Sequence, residues 1–346
     1  FIPLRKLQPT LCRYGAARSC SKRPVRINPA ALPIGADRGS AAARKASVWD
    51  AYWGPVRCLW DARAELGEGV LWSVREQAVY WVDILGQTLY RYGFLDGRRE
   101  AWPMGQSVSS VVERDGAQGL VLTLRHSFAA FYPQACRMEV LHAAETGHPG
   151  NRFNDGKCDG RGRYWAATID ADCVRATGAL YRYSGHSHCQ RMHPGFVVTN
   201  GPTWSLDGRT LYLNDTLAGR VMAFDFDLAR GTLTRERIWL QFAPGDGLPD
   251  GMTTDASGRI WIARWGASCV SCHHPDDGRE LARVVLPVSQ PTNCVFGGPQ
   301  LQTLLVTSAR VGLTDAQRAH EPLAGGLFAV DTACVGLAAQ GFVAQD

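Results

Sequence analysis

The chain has no run of eighteen uninterrupted apolar residues, which excludes a bilayer-spanning helix as a reading of the sequence. It also lacks a sustained 3.6-residue apolar period; a short turn of helix around residues 315–320 is the one stretch that fits such a period. Cysteine is neither dense nor even in number. Eleven are scattered over 346 residues, against the pattern of a small disulfide-stapled domain and in favour of reduced, mostly buried thiols in a reducing compartment. Acidic residues are scarce in one place only. Residues 1–55 carry ten Lys/Arg against two Asp/Glu, a balance of +8, while the remainder carries 27 against 30, so that the net charge of +5 misdescribes it. The basic excess sits in the leader, and a nucleic-acid footprint on the folded part has no support.

That leader is rich in Arg, Ser and Pro but has neither the apolar stretch nor the cleavage site of a secretory signal. An organelle transit peptide would look similar. The expectation is a disordered or artefactual extension over 1–55, a single domain over 56–346, and a cytoplasmic location. Hydrophobic content of 45% and 10% aromatics suit a globular chain with a sizeable core.

What is present from Val56 onward is β-structure. "AVYWVDI", "TLYRYGF", "GLVLTL", "RYWAATI", "ALYRYSG", "TLYLND", "RVMAFDFD", "RIWIAR" and "TLLVTSA" are short and rich in β-branched and aromatic residues, with Gly, Asp and Pro turns between them. A unit of polar anchor, apolar stretch, Asp/Gly turn and strong strand recurs as "EGVLWSVREQAVYWVDI", "NDGKCDGRGRYWAATI", "NGPTWSLDGRTLYLND" and "DGMTTDASGRIWIAR". The anchors are Glu68, Asn154, Asn200 and Asp250, and eight residues after the last three stand Gly162, Gly208 and Gly258. Weaker copies begin near Val108 and Thr292. Six copies at roughly 40–50-residue intervals predict an all-β, six-bladed β-propeller with one four-stranded antiparallel blade per repeat.

Rotation about the propeller axis brings equivalent positions of the repeats to one place. Glu68, Asn154, Asn200 and Asp250 are therefore expected to meet at one end of the channel. Asn and Asp entering a strand can be mere turn residues, but Glu68 is not a turn residue. Two carboxylates and amide carbonyls converging there make a hard-oxygen site, suited to Ca²⁺, Mg²⁺ or Mn²⁺ and tolerant of Zn²⁺ or Fe²⁺. Without a cation the two carboxylates repel, and one takes up a proton. The stretch "NRFNDGKC" adds Arg152, Asp155 and Lys157 around Asn154, a density of polar groups that needs partners or a ligand.

In order along the chain, "LGEGVLW", "NRFNDGKCDGRGRYWAATID", "TNGPTWSLDGRTLYLNDT", "LPDGMTTDASGRIWIARW" and "PTNCVFGGPQLQTLLVTSAR" resemble the successive motifs of the regucalcin (senescence marker protein)/gluconolactonase family of six-bladed propellers. The resemblance runs from about Val56 to the C-terminus and implies metal-dependent hydrolysis of sugar lactones, such as glucono-1,5-lactone or a pentonolactone. It implies one divalent ion (Ca²⁺, Zn²⁺, Mn²⁺ or Fe²⁺) on Glu68, Asn200 and Asp250, with Asp250 also the catalytic base. Arg152 and Asn154 would hold the substrate, since a fixed fork of donors beside an amide suits a polyol.

Two departures stand out. Where animal members carry a substrate-binding Glu, this chain has Asp172, one methylene shorter, and the proline common after the first ligand loop is absent from "EGVLW". The expected partner is a small-molecule lactone, with no nucleic acid and no membrane; no feature bears on oligomeric state. The competing readings are a non-catalytic, calcium-buffering scaffold and a hydrolase of non-sugar esters.

Three local patterns resemble other chemistry. "CVSCHH" at 269–274 fits a haem-attachment run or half a zinc site, but it falls where the repeat demands a strand and no second Cys pair completes it. "GNRFNDGKC" is mis-spaced for a phosphate-binding loop, with Cys158 in the Ser/Thr position. "GHSHC" falls short of the serine-hydrolase elbow, which also requires a following helix.

Overall fold

The computed structural model describes residues 53–345 except Ser187. The leader expected over 1–55 lies almost wholly outside the described residues. Within them, six separate four-stranded antiparallel sheets form a β-propeller. The second strands of the blades, such as Ala78–Asp83, Leu120–Leu124 and Tyr164–Asp170, are buried at every position. They face neighbours on both sides of the sheet, and so they read as unbroken apolar runs. Outer strands such as Arg99–Pro103 alternate between exposed and half-buried positions, the mark of one solvated face.

Each blade begins with the strand nearest the axis: Gly67–Ser73, Val108–Glu113, Asn151–Cys158, Thr199–Trp204, Leu248–Thr254 and Pro291–Gly297 for blades 1 to 6. These first strands lie against one another all the way round, and blade 6 returns to blade 1. Five blades use four consecutive strands. Blade 6 takes its outermost strand from the other end of the described chain: Arg57–Trp60 pairs with Leu327–Asp331, Arg57 opposite Ala329. This leaves the ring closed by a hydrogen-bonded ladder instead of two free sheet edges.

The recurring Asp/Gly turn has a physical cause. Gly162, Gly208 and Gly258 adopt φ of 75°, 66° and 80°, a region that L side chains rarely enter. In blades 3 and 5 the Asp ahead of that glycine clamps the next strand. Asp159 Oδ2 accepts from Arg163 Nε (2.7 Å) and Trp165 Nε1 (2.8 Å), and Asp255 Oδ2 accepts from Arg259 Nε (2.6 Å) and Trp261 Nε1 (2.8 Å). Both aspartates and both indoles are buried, so the pairs are charge-assisted and shielded from water.

The helical turn expected near residue 315 is present as Asp315–His320, started by a Thr314–Gln317 capping box. The "CVSCHH" stretch forms the buried strand Cys269–His273, and among the described residues all nine cysteines are free thiols, five of them buried. The "GNRFNDGKC" stretch forms the first strand of blade 3 with no helix after it. "GHSHC" lies in the turn between Gly178–Tyr183 and Cys189–Phe196, and its Ser187 is outside the described residues.

Beyond Asp331 the chain crosses the face at which the first strands end. It touches blade 6 (Gly336 N to Leu301 O), blade 5 (Ala256 N to Val335 O), blade 2 (Phe342 N to Glu113 O) and blade 3 (Val343 N to Gly162 O). Phe342 is buried and stacks on Tyr183, ring centroids 5.4 Å apart and 1° from parallel. No described helix is long and apolar enough to cross a membrane.

Candidate active site at the channel mouth

The four anchors sit near the starts of their strands, at the face opposite this C-terminal strap. In every blade the ladder between first and second strands shifts register at this level: between Glu68 and Leu71, Phe153 and Gly156, Asn200 and Thr203, Pro249 and Met252, Val108 and Ser110, and Pro291 and Asn293. Such bulges release side chains from strict alternation and re-aim them, here toward the axis.

Glu68 and Asp250 lie near enough at the hub for the Glu68 carboxylate to act on Asp250. Burial, reinforced by the Asp155 carboxylate, pushes Glu68 up to about 8. Asp250 is raised well above the usual carboxylate range by burial, then by Glu68 and Asp155. Asp250 Oδ1 is buried without a hydrogen-bond partner, as are Asn214 Oδ1 and Thr199 Oγ1 on blade 4. Glu68 Oε2 accepts from Gly69 N (3.2 Å) and Asn293 Nδ2 (3.3 Å).

Asn154 joins two blades: its Nδ2 donates to Asn200 Oδ1 (2.5 Å) and Thr199 O (3.0 Å), while its Oδ1 accepts from Arg152 Nη1 (2.6 Å). Asn200 Nδ2 donates in turn to Thr216 Oγ1 (2.9 Å), and Asn214, paired with Asn200 in the ladder, donates to Asp250 O. Arg152 also donates to Phe153 O (3.0 Å). Burial lowers its pKa, opposed by Cys173, Glu68 and Asp250. Thus Arg152, Asn154 and Asn200 form one hydrogen-bonded row beside the Glu68–Asp250 pair.

Asp172 stands apart from this group. It is exposed in the turn after Tyr164–Asp170, and no hydrogen bond among the described residues joins it to Arg152 or Asn154. The turn is organised by Asp170, whose oxygens accept from Val174 N, Arg175 N and the Arg175 guanidinium. Cys173, at φ 55°, is the residue of this turn that lies toward Arg152.

Two residues not singled out as site residues in the sequence reading are central here. Asp155 and Asn293 are buried and bonded to each other across the channel (3.1 Å). Lys157, from the same strand as Asp155, donates to Met252 O on blade 5. Burial raises Asp155, with Lys157 opposing, and burial lowers Lys157, with Asp155 opposing. A signal for Asn293 existed in the weak sixth copy, "PTNC", which carries an amide near the anchor phase.

Among the described residues no group of three His, Cys, Asp or Glu side chains is arranged to hold a metal ion. The hub nevertheless fits one hard cation by mixed donors: the carboxylates of Glu68 and Asp250, the latter with an orphaned buried Oδ1, beside the amide oxygen of Asn200 that Asn154 now holds. With all three ionised, the buried carboxylates of Glu68, Asp155 and Asp250 outnumber the charges of Arg152 and Lys157 by one, so a proton or a cation is needed there for balance.

Fold and site together define a six-bladed propeller with a buried, carboxylate-bearing polar cluster at one end of its axis. Residues 66–310 match the SMP-30/Gluconolactonase/LRE-like region. Regucalcin of Danio rerio is 34% identical over 80% of this chain and 93% of its own. YvrE of Bacillus subtilis, provisionally named a sugar lactone lactonase, is 31% identical over 78% of this chain and 91% of its own. A solved structure of a calcium-binding protein, regucalcin, from Agrobacterium tumefaciens superposes with a TM-score of 0.80 at 26% identity, covering 84% of this chain and 98% of that one. The chain belongs to the SMP-30/gluconolactonase family.

Proposed function

We propose that this protein hydrolyses sugar lactones, five- or six-membered aldonolactones such as glucono-1,5-lactone or a pentonolactone, to the open aldonic acids. Glu68, Asn200 and Asp250 hold one divalent cation, and Arg152 and Asn154 hold the sugar. The observation that carries the reading is the buried, unpartnered Asp250 Oδ1 facing Glu68 next to the Arg152–Asn154–Asn200 row. Bound there, a divalent cation supplies Lewis acidity toward an ester carbonyl.

The residues divide the remaining work. Asp250 accepts a proton from the attacking water as its oxygen bonds to the carbonyl carbon, and returns that proton to the ring oxygen when the ring C–O bond breaks. Arg152, tied to Asn154 and to the backbone at Phe153, presents its remaining N–H groups to hydroxyls in a fixed direction. Asp172 is retained as an outer contact for the distal part of a lactone, reached from the rim.

The calcium-binding description of the Agrobacterium relative suits the same oxygen set and raises the alternative of a cation store. The Arg152–Asn154 pair distinguishes the two, because a store needs no sugar-hydroxyl donors. A pH-indicator assay on glucono- and pentonolactones, with and without chelator, tests the proposal. Turnover is expected in the metal-loaded protein, with loss on chelation and a loss of about 10²–10⁴-fold in Asp250→Ala. Chelator-resistant turnover, or near-normal turnover in that variant, would refute it.

A further inference from the structure

Asp155 follows Asn154 directly and is as buried as the proposed cation ligands, yet its oxygens are engaged by protein. Oδ1 accepts from Gly156 N (2.7 Å); Oδ2 accepts from Gly201 N (3.0 Å) and Asn293 Nδ2 (3.1 Å). Gly201 is the residue after Asn200, so this bond fixes the blade 4 backbone beside that amide. Asn293 belongs to blade 6, and the same Nδ2 also donates to Glu68 Oε2 (3.3 Å) while its Oδ1 accepts from Cys294 N (2.8 Å). Its amide is seated against Gly251, where an added Cβ would overlap it, so the residue after Asp250 must be glycine for Asn293 to reach both carboxylates. From the same strand as Asp155, Lys157 holds Met252 O, two residues beyond Asp250.

Each of Glu68, Asn200 and Asp250 comes from a different blade, and each is one step from this cluster. The blades share no backbone ladder, so apolar packing between blades and the side-chain bonds at the hub together set the separation of the three at the axis. Asp250 differs in kind: its Oδ1 has no protein partner and is free to take a ligand, whereas both oxygens of Asp155 are committed to protein donors from three blades.

We propose that Asp155 and Asn293 are positioning residues, a cross-channel brace that holds Glu68 and the Asn200 backbone at the spacing a divalent cation and the lactone carbonyl require. This rests on the reading of Glu68, Asn200 and Asp250 as the cation set. Partners that orient ligands in this way contribute about 10–100-fold to cation affinity.

The test titrates Mn²⁺ into metal-free protein, reading affinity by calorimetry and ligand geometry by the electron paramagnetic resonance signal. It compares wild type with Asn293→Ala, Asp155→Asn and Ser110→Ala. Ser110 is the matched control: a buried residue of the blade 2 inner strand, bonded to Thr123 (2.6 Å) and Tyr164 (2.7 Å) and hydrogen-bonded to none of the three ligands. Asn293→Ala and Asp155→Asn are expected to weaken Mn²⁺ binding about 10–100-fold, alter the resonance signal and lower kcat more than they raise KM. Ser110→Ala is expected to lower the metal-free Tm while leaving the Mn²⁺ Kd within about twofold, as a residue whose side chain bonds only Thr123 and Tyr164 should. Wild-type affinity in both brace variants overturns the brace alone; equal loss in Ser110→Ala assigns the effect to general packing and overturns it too. Failure of wild type to bind Mn²⁺ or Ca²⁺ overturns the cation site and the brace together. Should Asp155→Asn not fold, Asn293→Ala, which introduces no donor opposite Gly201 N, decides the matter.

Discussion

Two facing carboxylates in one buried site make cation binding depend on pH in a calculable way. In the metal-free protein Glu68 is pushed up to about 8 by burial and by Asp155, and Asp250 is raised as well, so the pair keeps a proton at neutral pH. A cation must displace it. A group of pKa about 8 is about nine-tenths protonated at pH 7, so calorimetric titration with Ca²⁺ or Mn²⁺ in buffers of different ionisation enthalpy should detect release of at least about 0.9 proton per ion, with any proton held by Asp250 adding to it. The ionised fraction of Glu68 alone rises from about 1% at pH 6 to about half at pH 8, so Kd should fall at least about 50-fold between them.

Stability follows the same proton with a definite sign. Folding raises the Glu68 carboxyl from 4.5 to about 8, so its contribution to metal-free stability is full below pH 4.5 and is lost as pH rises through about 8. Metal-free protein should therefore melt lower at pH 9 than at pH 6, and saturating cation should reduce that difference. A Kd that does not change between pH 6 and 8, with no proton released at pH 7, would show that the pair is already ionised and that the proposed cation pocket is not where cations bind.

Arg152→Lys removes the fork that contacts Asn154 and Phe153 O together; losing charge-assisted bonds of about 1.5–3 kcal/mol should raise KM for gluconolactone about 10–150-fold with a smaller change in kcat. An unchanged KM in steady-state titration would remove Arg152 from the substrate site. Phe342→Ala empties the buried slot against Tyr183 in the C-terminal strap. A core Phe→Ala change costs about 3–5 kcal/mol, and the Tm should fall by about 10 °C. Because the strap lies on the opposite face from Glu68 and Asp250, kcat/KM below the melting range should stay at the wild-type value; a lactonase defect would couple the two ends of the channel.

Much of the architecture was legible because the repeat is written in residue types with a local physical role. Gly162, Gly208 and Gly258 mark turns that need positive φ, and the runs around Trp81, Trp165 and Trp261 mark doubly buried strands. The count of six followed from these signals and from spacing. The closing strand Arg57–Trp60 was not legible in the same way, since it lies beside the leader and pairs with a segment some 270 residues away. Neither was the strap, in which Cys334 and Phe342 are the buried apolar residues.

The linear chain by itself determined the all-β repeat and the chemistry available at its anchors, because turn geometry, strand burial and ligand hardness are properties of residue types within a few positions of one another. Only the tertiary structure decided which of the polar residues act together. Asp155 and Asn293 are 138 positions apart yet share a hydrogen bond across the axis, while Asp172, close to Arg152 along the blade, is turned to solvent by the Asp170-centred loop. Closure of the ring is the reason: blade rotation, strand bulges and burial set those distances, and none of them is encoded in separation along the sequence.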